Sequence, residues 1–275
     1  MPPLRRPSLL LLGLLALSAC ATRPPASDPE ALAEYEQTND PLEPLNRGLY
    51  AVNTGIDTVV LRPAAKVYRA VLPQPVRTGV RNVLANLRSP VIAANDLLQG
   101  EPDRLLVTVG RFMINTTFGI GGIFDVAASA GMPGHREDFG QTLAAWGVGE
   151  GPFLFVPLLG PSNPRDLVGF GADVAADPIR WAGVDSDTLD SVRWTRLGLT
   201  VLDTREGLLE TIDNVNSTSL DPYATLRSAY RQNRNQQIRN AGELPATAGP
   251  LAQPQQGSFA PQAEPDTGTT LPQPR

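Results

Sequence analysis

Asp40-Pro41-Leu42-Glu43-Pro44-Leu45-Asn46-Arg47-Gly48-Leu49-Tyr50-Ala51-Val52-Asn53-Thr54-Gly55-Ile56-Asp57-Thr58-Val59 is the stretch that decides the fold class. Leu42, Leu45, Leu49, Val52, Ile56 and Val59 recur at steps of three and four, which lays one continuous apolar stripe along a helix. Proline is tolerated in the first helical turn, and Asp40 with Glu43 has the spacing of a capping box. The same opening recurs at Arg62-Pro63, Gln74-Pro75, Ser89-Pro90, Glu101-Pro102, Asp177-Pro178 and Asp221-Pro222, each before a segment of helical spacing. The Ser89 segment is predicted to end at Gly100, a C-terminal cap. Leu197, Val201, Leu208, Ile212 and Val215 form a later stripe, and Tyr223, Leu226 and Tyr230 another. Strand alternation is scarce. The expectation is an all-α protein of short, amphipathic, proline-started helices. Phe139 to Asp166 interrupts it, where glycine and proline forbid a long helix and favour turns and extended pieces.

Asp103 to Phe118 departs from ordinary amphipathicity. Arg104, Thr108, Arg111 and Asn115 step by four, three and four, so they line one narrow edge of a helix that is otherwise apolar. Phe112, Met113, Ile114, Phe118, Gly119, Gly121, Gly122, Ile123 and Phe124 then make a hairpin without charge from Phe112 to Phe124, its glycines able to turn the chain sharply. Two readings stand side by side. In one, this is a core hairpin whose polar edge faces solvent. In the other, it is set into a membrane, and the polar edge faces a headgroup path or a water-filled channel, because exposing it to lipid tails costs several kcal/mol.

The chain's beginning supplies a membrane. Arg5-Arg6, the leucine-rich run from Leu9 to Leu17 and the small pair Ser18-Ala19 before Cys20 make residues 1–19 a secretory signal peptide ending in a bacterial lipobox. The only cysteine is thereby the expected lipidation site and new N-terminus. Each buried methylene of its acyl chains contributes about 0.8 kcal/mol, so several chains anchor the protein essentially permanently. Ala21 stands where an inner-membrane retention signal would carry Asp, which points to the periplasmic leaflet of the outer membrane. Residues 20–38 read as a tether, 39–244 as the folded domain, and 245–275, punctuated by prolines, as a disordered tail. Removal of residues 1–19 deletes two arginines and no acids, leaving 21 basic and 28 acidic residues, which argues against nucleic acid as a partner.

Reaction chemistry is not indicated. His135, the only histidine, lies near Glu137 and Asp138 on a glycine-flanked loop and reads as a solvated loop residue; no metal site or cofactor is expected. Gly160-Pro161-Ser162 lacks the second glycine of a nucleophile elbow, and Gly147 to Gly151 lacks the Lys-Ser/Thr of a phosphate loop. Asp185, Asp187 and Asp190 suit a loop and helix start.

Phe139-Gly140-Gln141-Thr142-Leu143, Gly147-Val148-Gly149-Glu150-Gly151-Pro152, Pro157-Leu158-Leu159-Gly160-Pro161-Ser162 and Arg165-Asp166 together resemble the MlaA/VacJ family. So do Asn39-Asp40-Pro41-Leu42-Glu43 with Asn46-Arg47, Leu98-Gln99-Gly100, Arg111-Phe112, Asn115-Thr116, Gly119 to Asp125, and Asp221-Pro222-Tyr223 with Arg227 and Tyr230. Pro164 and the long tail depart from that pattern. The resemblance implies a ring-like helical lipoprotein embedded in one leaflet of the outer membrane. It would remove mislocalised phospholipids from the outer leaflet through an amphipathic channel and pass them to a periplasmic carrier of the Mla pathway, with a trimeric porin as outer-membrane partner. Arg104 and Arg111 are then the first candidates for headgroup contact, beside the alternative that they face solvent. A structural lipoprotein tethering membrane to cell wall, and a membrane-anchored phospholipase, are the competing functions; a tether has no need of the uncharged Phe112 to Phe124 segment.

Overall fold

The computed structural model describes residues 27–30, 38–181 and 185–239. The signal peptide, Cys20, most of the tether and the tail 245–275 lie outside the described residues.

The protein is mostly helical. Helix α1 (Glu43–Ile56) continues through a π-helical turn (Asp57–Leu61) into α2 (Arg62–Val71). Arg62-Pro63 therefore starts no separate helix, since the π turn absorbs the missing proline donor within a continuous run. The same correction applies to Ser89-Pro90. Helix α3 (Gln74–Gln99) carries Pro90 in its interior, which deprives the Asn86 carbonyl of its helical partner without ending the helix. It stops at Gly100, whose φ of 76° is the left-handed C-cap expected.

Pro102 opens α4 (Pro102–Thr117), which packs along α3. A glycine turn leads to α5 (Val126–Ser129), capped by Asp125, and a loop to α6 (Phe139–Ala145), capped by Asp138. The glycine-proline block then yields a small antiparallel hairpin, β1 (Leu154–Val156) and β2 (Gly160–Ser162), with Phe155 opposite Pro161. Pro164 fits as the first residue of α7 (Pro164–Ala176), whose amides Asn163 caps. A 3-10 turn (Pro178–Trp181) precedes α8 (Ser186–Gly207), capped by Asp185. Helix α9 (Leu209–Thr218) and α10 (Pro222–Ile238), capped by Asp221, complete the chain.

Asp40 caps nothing. Helix α1 has no side-chain cap, and Asp40 is buried, accepting from Asn46 Nδ2 at 2.7 Å, from Arg227 Nη1 at 2.8 Å and from the Tyr223 hydroxyl. The capping-box spacing was real, but a tertiary network with α10 outcompetes the local bond. This network flanks the small aromatic core, where Phe153, Phe155 and Tyr223 pack with Leu49, Tyr50, Leu226 and Tyr230. Tyr50 meets Phe155 edge-on at 5.5 Å, and Arg47 lies over the Tyr223 ring at 4.5 Å.

Outside that core the protein is inside out. Buried polar and charged side chains outnumber buried apolar ones among the described residues. In α1 the buried residue is Asn46, whereas Leu45, Val52 and, in the following turn, Val59 of the apolar stripe are exposed. Helix α8 is held to α2 and α3 by ions: Arg69 Nε lies 2.7 Å from Glu206, Arg81 Nε lies 3.0 Å from Asp203, and Arg77 also reaches Glu206. No helix of the described residues is long and apolar enough to cross a membrane.

Candidate functional site

The site is the seam between α3 and the polar edge of α4. Thr108 and Asn115 are 5% and 7% exposed, while Leu106, Met113, Phe118 and Ile120 are 69%, 59%, 72% and 66% exposed. The edge thus faces the interior, and the solvent-facing alternative for it does not describe this fold. The other faces of α4 and the tip of the glycine turn present bare apolar surface.

Each edge residue has a partner. Arg104 Nη2 donates to Glu137 Oε1 at 2.7 Å, and Gln99 Nε2 donates to Glu137 Oε2 at 2.8 Å. Burial pushes the Glu137 carboxyl up, against the opposing pull of Gln99 and Arg104. Arg111 Nη2 donates to Asp125 Oδ2 at 2.7 Å, and Asn115 Nδ2 donates to Asp125 Oδ1 at 2.9 Å. Asn115 Oδ1 in turn accepts the Ala127 amide at 2.9 Å, which ties α5 to α4. Burial alone would raise Asp125; the Asn115 amide and Arg111 guanidinium override it and hold the carboxyl below its usual value.

Thr108 Oγ1 donates to Asp96 Oδ2 at 2.6 Å, and His135 Nε2 lies 2.8 Å from Asp96 Oδ1 and 3.2 Å from Thr108 Oγ1. His135 is therefore not a solvated loop residue: its side chain is 9% exposed, drawn in by the fully buried Asp96. This trio is not a nucleophile–base–acid relay. A relay uses the two imidazole nitrogens for two partners, whereas here one nitrogen meets both and the hydroxyl proton is already committed to the carboxylate. Among the described residues no group of three His, Cys, Asp or Glu side chains is placed to hold a metal ion.

Thr108, Arg111, Asn115, Asp125 and His135 line a cavity of about 100 Å³, whose other wall is α3 through Arg81, Asn82, Asn86, Ser89 and Ile92. Arg104 is not among its lining residues. The polar wall of α3 was missed in the sequence, although Asn82, Asn86, Asn95 and Asp96 recur along the helix and offered a signal. Asn86 and Asn82 also fix the turn. Asn82 Nδ2 donates to the Ile123 carbonyl at 3.0 Å, and Asn86 Nδ2 donates to Thr116 Oγ1 at 2.9 Å and to the Gly121 carbonyl at 3.4 Å. Gly122, with φ of 95°, leaves the room that Asn86 occupies: a Cβ there would lie 2.6 Å from Asn86 Cβ. Phe118, Gly119, Gly121, Ile123 and Phe124 thus form an apolar tip whose backbone is gripped from within by amides of α3.

Comparison with known proteins extends this picture. A family model described as MlaA lipoprotein matches residues 38–237. The chain is 36% identical over 252 residues to the intermembrane phospholipid transport system lipoprotein MlaA of Escherichia coli (strain K12), covering 90% of this chain and 94% of that protein. It is 37% identical over 201 residues to an uncharacterized protein of Rickettsia bellii (strain RML369-C), covering 73% and 77% respectively. A chain from the solved structure "Structural basis for maintenance of bacterial outer membrane lipid asymmetry" superposes with a TM-score of 0.63 at 32% identity, covering 72% of this chain and 98% of that one.

Proposed function

As the chain belongs to the MlaA lipoprotein family, we propose that it removes mislocalised phospholipids from the outer leaflet of the outer membrane and so maintains lipid asymmetry. The lipid moves through a polar interior passage and is passed to a periplasmic carrier for retrograde transport. The observation that carries this reading is the reversal of α4: a polar edge turned onto an interior cavity, with apolar faces outward. A phospholipid has matching needs, since its charged head requires polar partners while its tails require apolar contact. In this reading Cys20 is lipidated and holds the domain at the periplasmic leaflet, the apolar tip from Phe112 to Phe124 dips into that leaflet, and a trimeric porin receives the outer surface. Thr108, Arg111 and Asn115 border the passage, and Arg104 supports it through Glu137.

The test is outer-leaflet phospholipid in cells lacking the protein. Deletion is expected to raise it, wild type to restore it, and Cys20→Ala to fail, because an unanchored domain is not retained at the membrane. Arg111→Ala is expected to restore it only in part. Unchanged asymmetry on deletion, in a strain that depends on the periplasmic carrier, would refute the reading.

A further inference from the structure

His135 carries an atom that the fold positions and does not use. The Asp96 carboxylate only accepts, so the His135 Nε2 that lies 2.8 Å from its Oδ1 bears the ring proton. Thr108 gives its own proton to Asp96 Oδ2 at 2.6 Å, which leaves the Thr108 oxygen able to share the Nε2 bond. The neutral ring is thereby fixed in one tautomer, with its lone pair on Nδ1. Nδ1 meets no partner among the described residues, and it is not one of the unpartnered polar atoms sealed inside the fold. The side chain is 9% exposed and lines the cavity between α3 and α4, so this lone pair opens on the cavity.

The other walls decide what such an acceptor suits. Asn82 donates through Nδ2 to the Ile123 carbonyl, so its Oδ1, without a partner among the described residues, is a second acceptor on the cavity. Asp125 adds a carboxylate whose side chain is 28% exposed. Arg81 commits Nε and Nη2 to Asp203 and Glu206, which meet its charge, yet its Nη1 keeps N–H groups with no partner among the described residues. Acceptors beside a carboxylate on one wall, and guanidinium donors on another, match a zwitterion: an ammonium against the first and a phosphodiester against the second. The cavity, about 100 Å³, has room on the order of several water molecules, hence for a headgroup and not for two acyl chains.

We propose that His135 and Asn82 accept hydrogen bonds from the headgroup amine of a phospholipid in transit while Arg81 donates to its phosphodiester, so that the passage prefers a primary ammonium headgroup to a quaternary one. A primary ammonium has three N–H donors for these acceptors. A quaternary ammonium has none, and it leaves Nδ1 unpaired in a site built to donate nothing there. Asp96 is the positioning residue, acting through the tautomer of the ring. The proposal rests on the lipid-removal reading and adds selectivity to it.

The experiment uses full-length protein with a photo-crosslinking amino acid at Ala85, an exposed residue of α3 that borders the cavity. The protein is reconstituted in phosphatidylcholine vesicles holding a trace of either phosphatidylethanolamine or phosphatidylcholine labelled in an acyl chain. The acyl label confines the signal to lipid and excludes a free amine. The wild type is expected to give about ten times more adduct with the ethanolamine lipid, the equivalent of one hydrogen bond. His135→Gln, which keeps an amide donor for Asp96 and removes Nδ1, should bring the two adducts level. Asp96→Asn should do the same, because its amide donates to Nε2 and moves the ring proton to Nδ1, turning the acceptor into a donor. Arg193→Ala, which removes an exposed arginine of α8, should keep the tenfold ratio. A variant that only loosens the fold lowers both adducts together, so the ratio reports recognition. Equal adducts in the wild type, or a preference that survives in His135→Gln, overturn the proposal. A His135-dependent preference in a protein whose deletion leaves asymmetry intact would leave the recognition standing and remove the transport reading.

Discussion

Alanine at position 169 is expected to lower stability by about 3 kcal/mol, at or beyond the upper end of what overpacking usually costs. Helices α6 and α7 cross with backbone against backbone: a Cβ on Gly169 would lie 2.2 Å from the Gly140 nitrogen and 2.6 Å from its Cα. No rotamer change can relieve contacts with main-chain atoms, so the helices must separate. Separation propagates, because a Cβ on Gly140 would itself lie within 3.0 Å of Arg234, Asp166 and Asp138, which leaves no slack on the far side. Denaturant unfolding of the purified protein in detergent measures the cost. Gly171→Ala, one turn-fraction away with open space around its position, is expected to be neutral or slightly stabilising through helix propensity. Equal effects of the two substitutions would show that the crossing does not set the spacing.

The second large effect lies at the residue that closes this crossing. Arg234, 9% exposed, donates to both oxygens of Asp138 at 2.7 Å and lies 2.8 Å from Asp166 Oδ2. Arg234→Met would leave the Asp138 carboxylate without its cation and Asp166 with Arg165 alone, at a cost of about 3–5 kcal/mol near neutral pH. The pH dependence is diagnostic. Burial alone would raise the Asp138 carboxyl, and the Arg234 guanidinium overrides it and holds that carboxyl well below the carboxylate range. In the wild type this contribution is fully present above the unfolded pKa of about 3.9 and is lost only as pH falls through the lower folded value. In the variant desolvation is opposed only by the Gln141 hydrogen bonds and the charge of Arg88, so the folded pKa of Asp138 moves up and protonation relieves part of the burial. The deficit against wild type should therefore be largest at neutral pH and shrink as pH falls into the carboxylate range. Thermal unfolding across that range checks it; a deficit independent of pH would show that lost packing, and not charge, is responsible.

The helical class was legible because proline and glycine act locally. Pro102 and Pro222 open helices, and Gly100 ends one, for reasons contained within a turn of chain. Pro63 and Pro90 misled for the same reason, since a π turn or a tolerated interior proline is settled by the surrounding packing and not by the dipeptide. Periodicity placed Arg104, Thr108, Arg111 and Asn115 on one edge but could not say which way that edge faces. Orientation depends on Asp96, Glu137 and Asp125, which arrive from other segments. His135 was unreadable for want of the same information: its place is fixed by an aspartate some forty residues away in sequence.

The outward apolar faces of α1 and α4 carry a consequence for how such a chain is made. Phe118, Ile120 and Phe124 stand 72%, 66% and 58% exposed at one tip, a surface that water drives toward self-association. At the outer-membrane location proposed above, the chain must cross an aqueous compartment with that surface shielded. Delivery, then, calls for an escort that covers the tip and releases it only at the destination, so on the function proposed above assembly of this protein is a hand-over and not a diffusion.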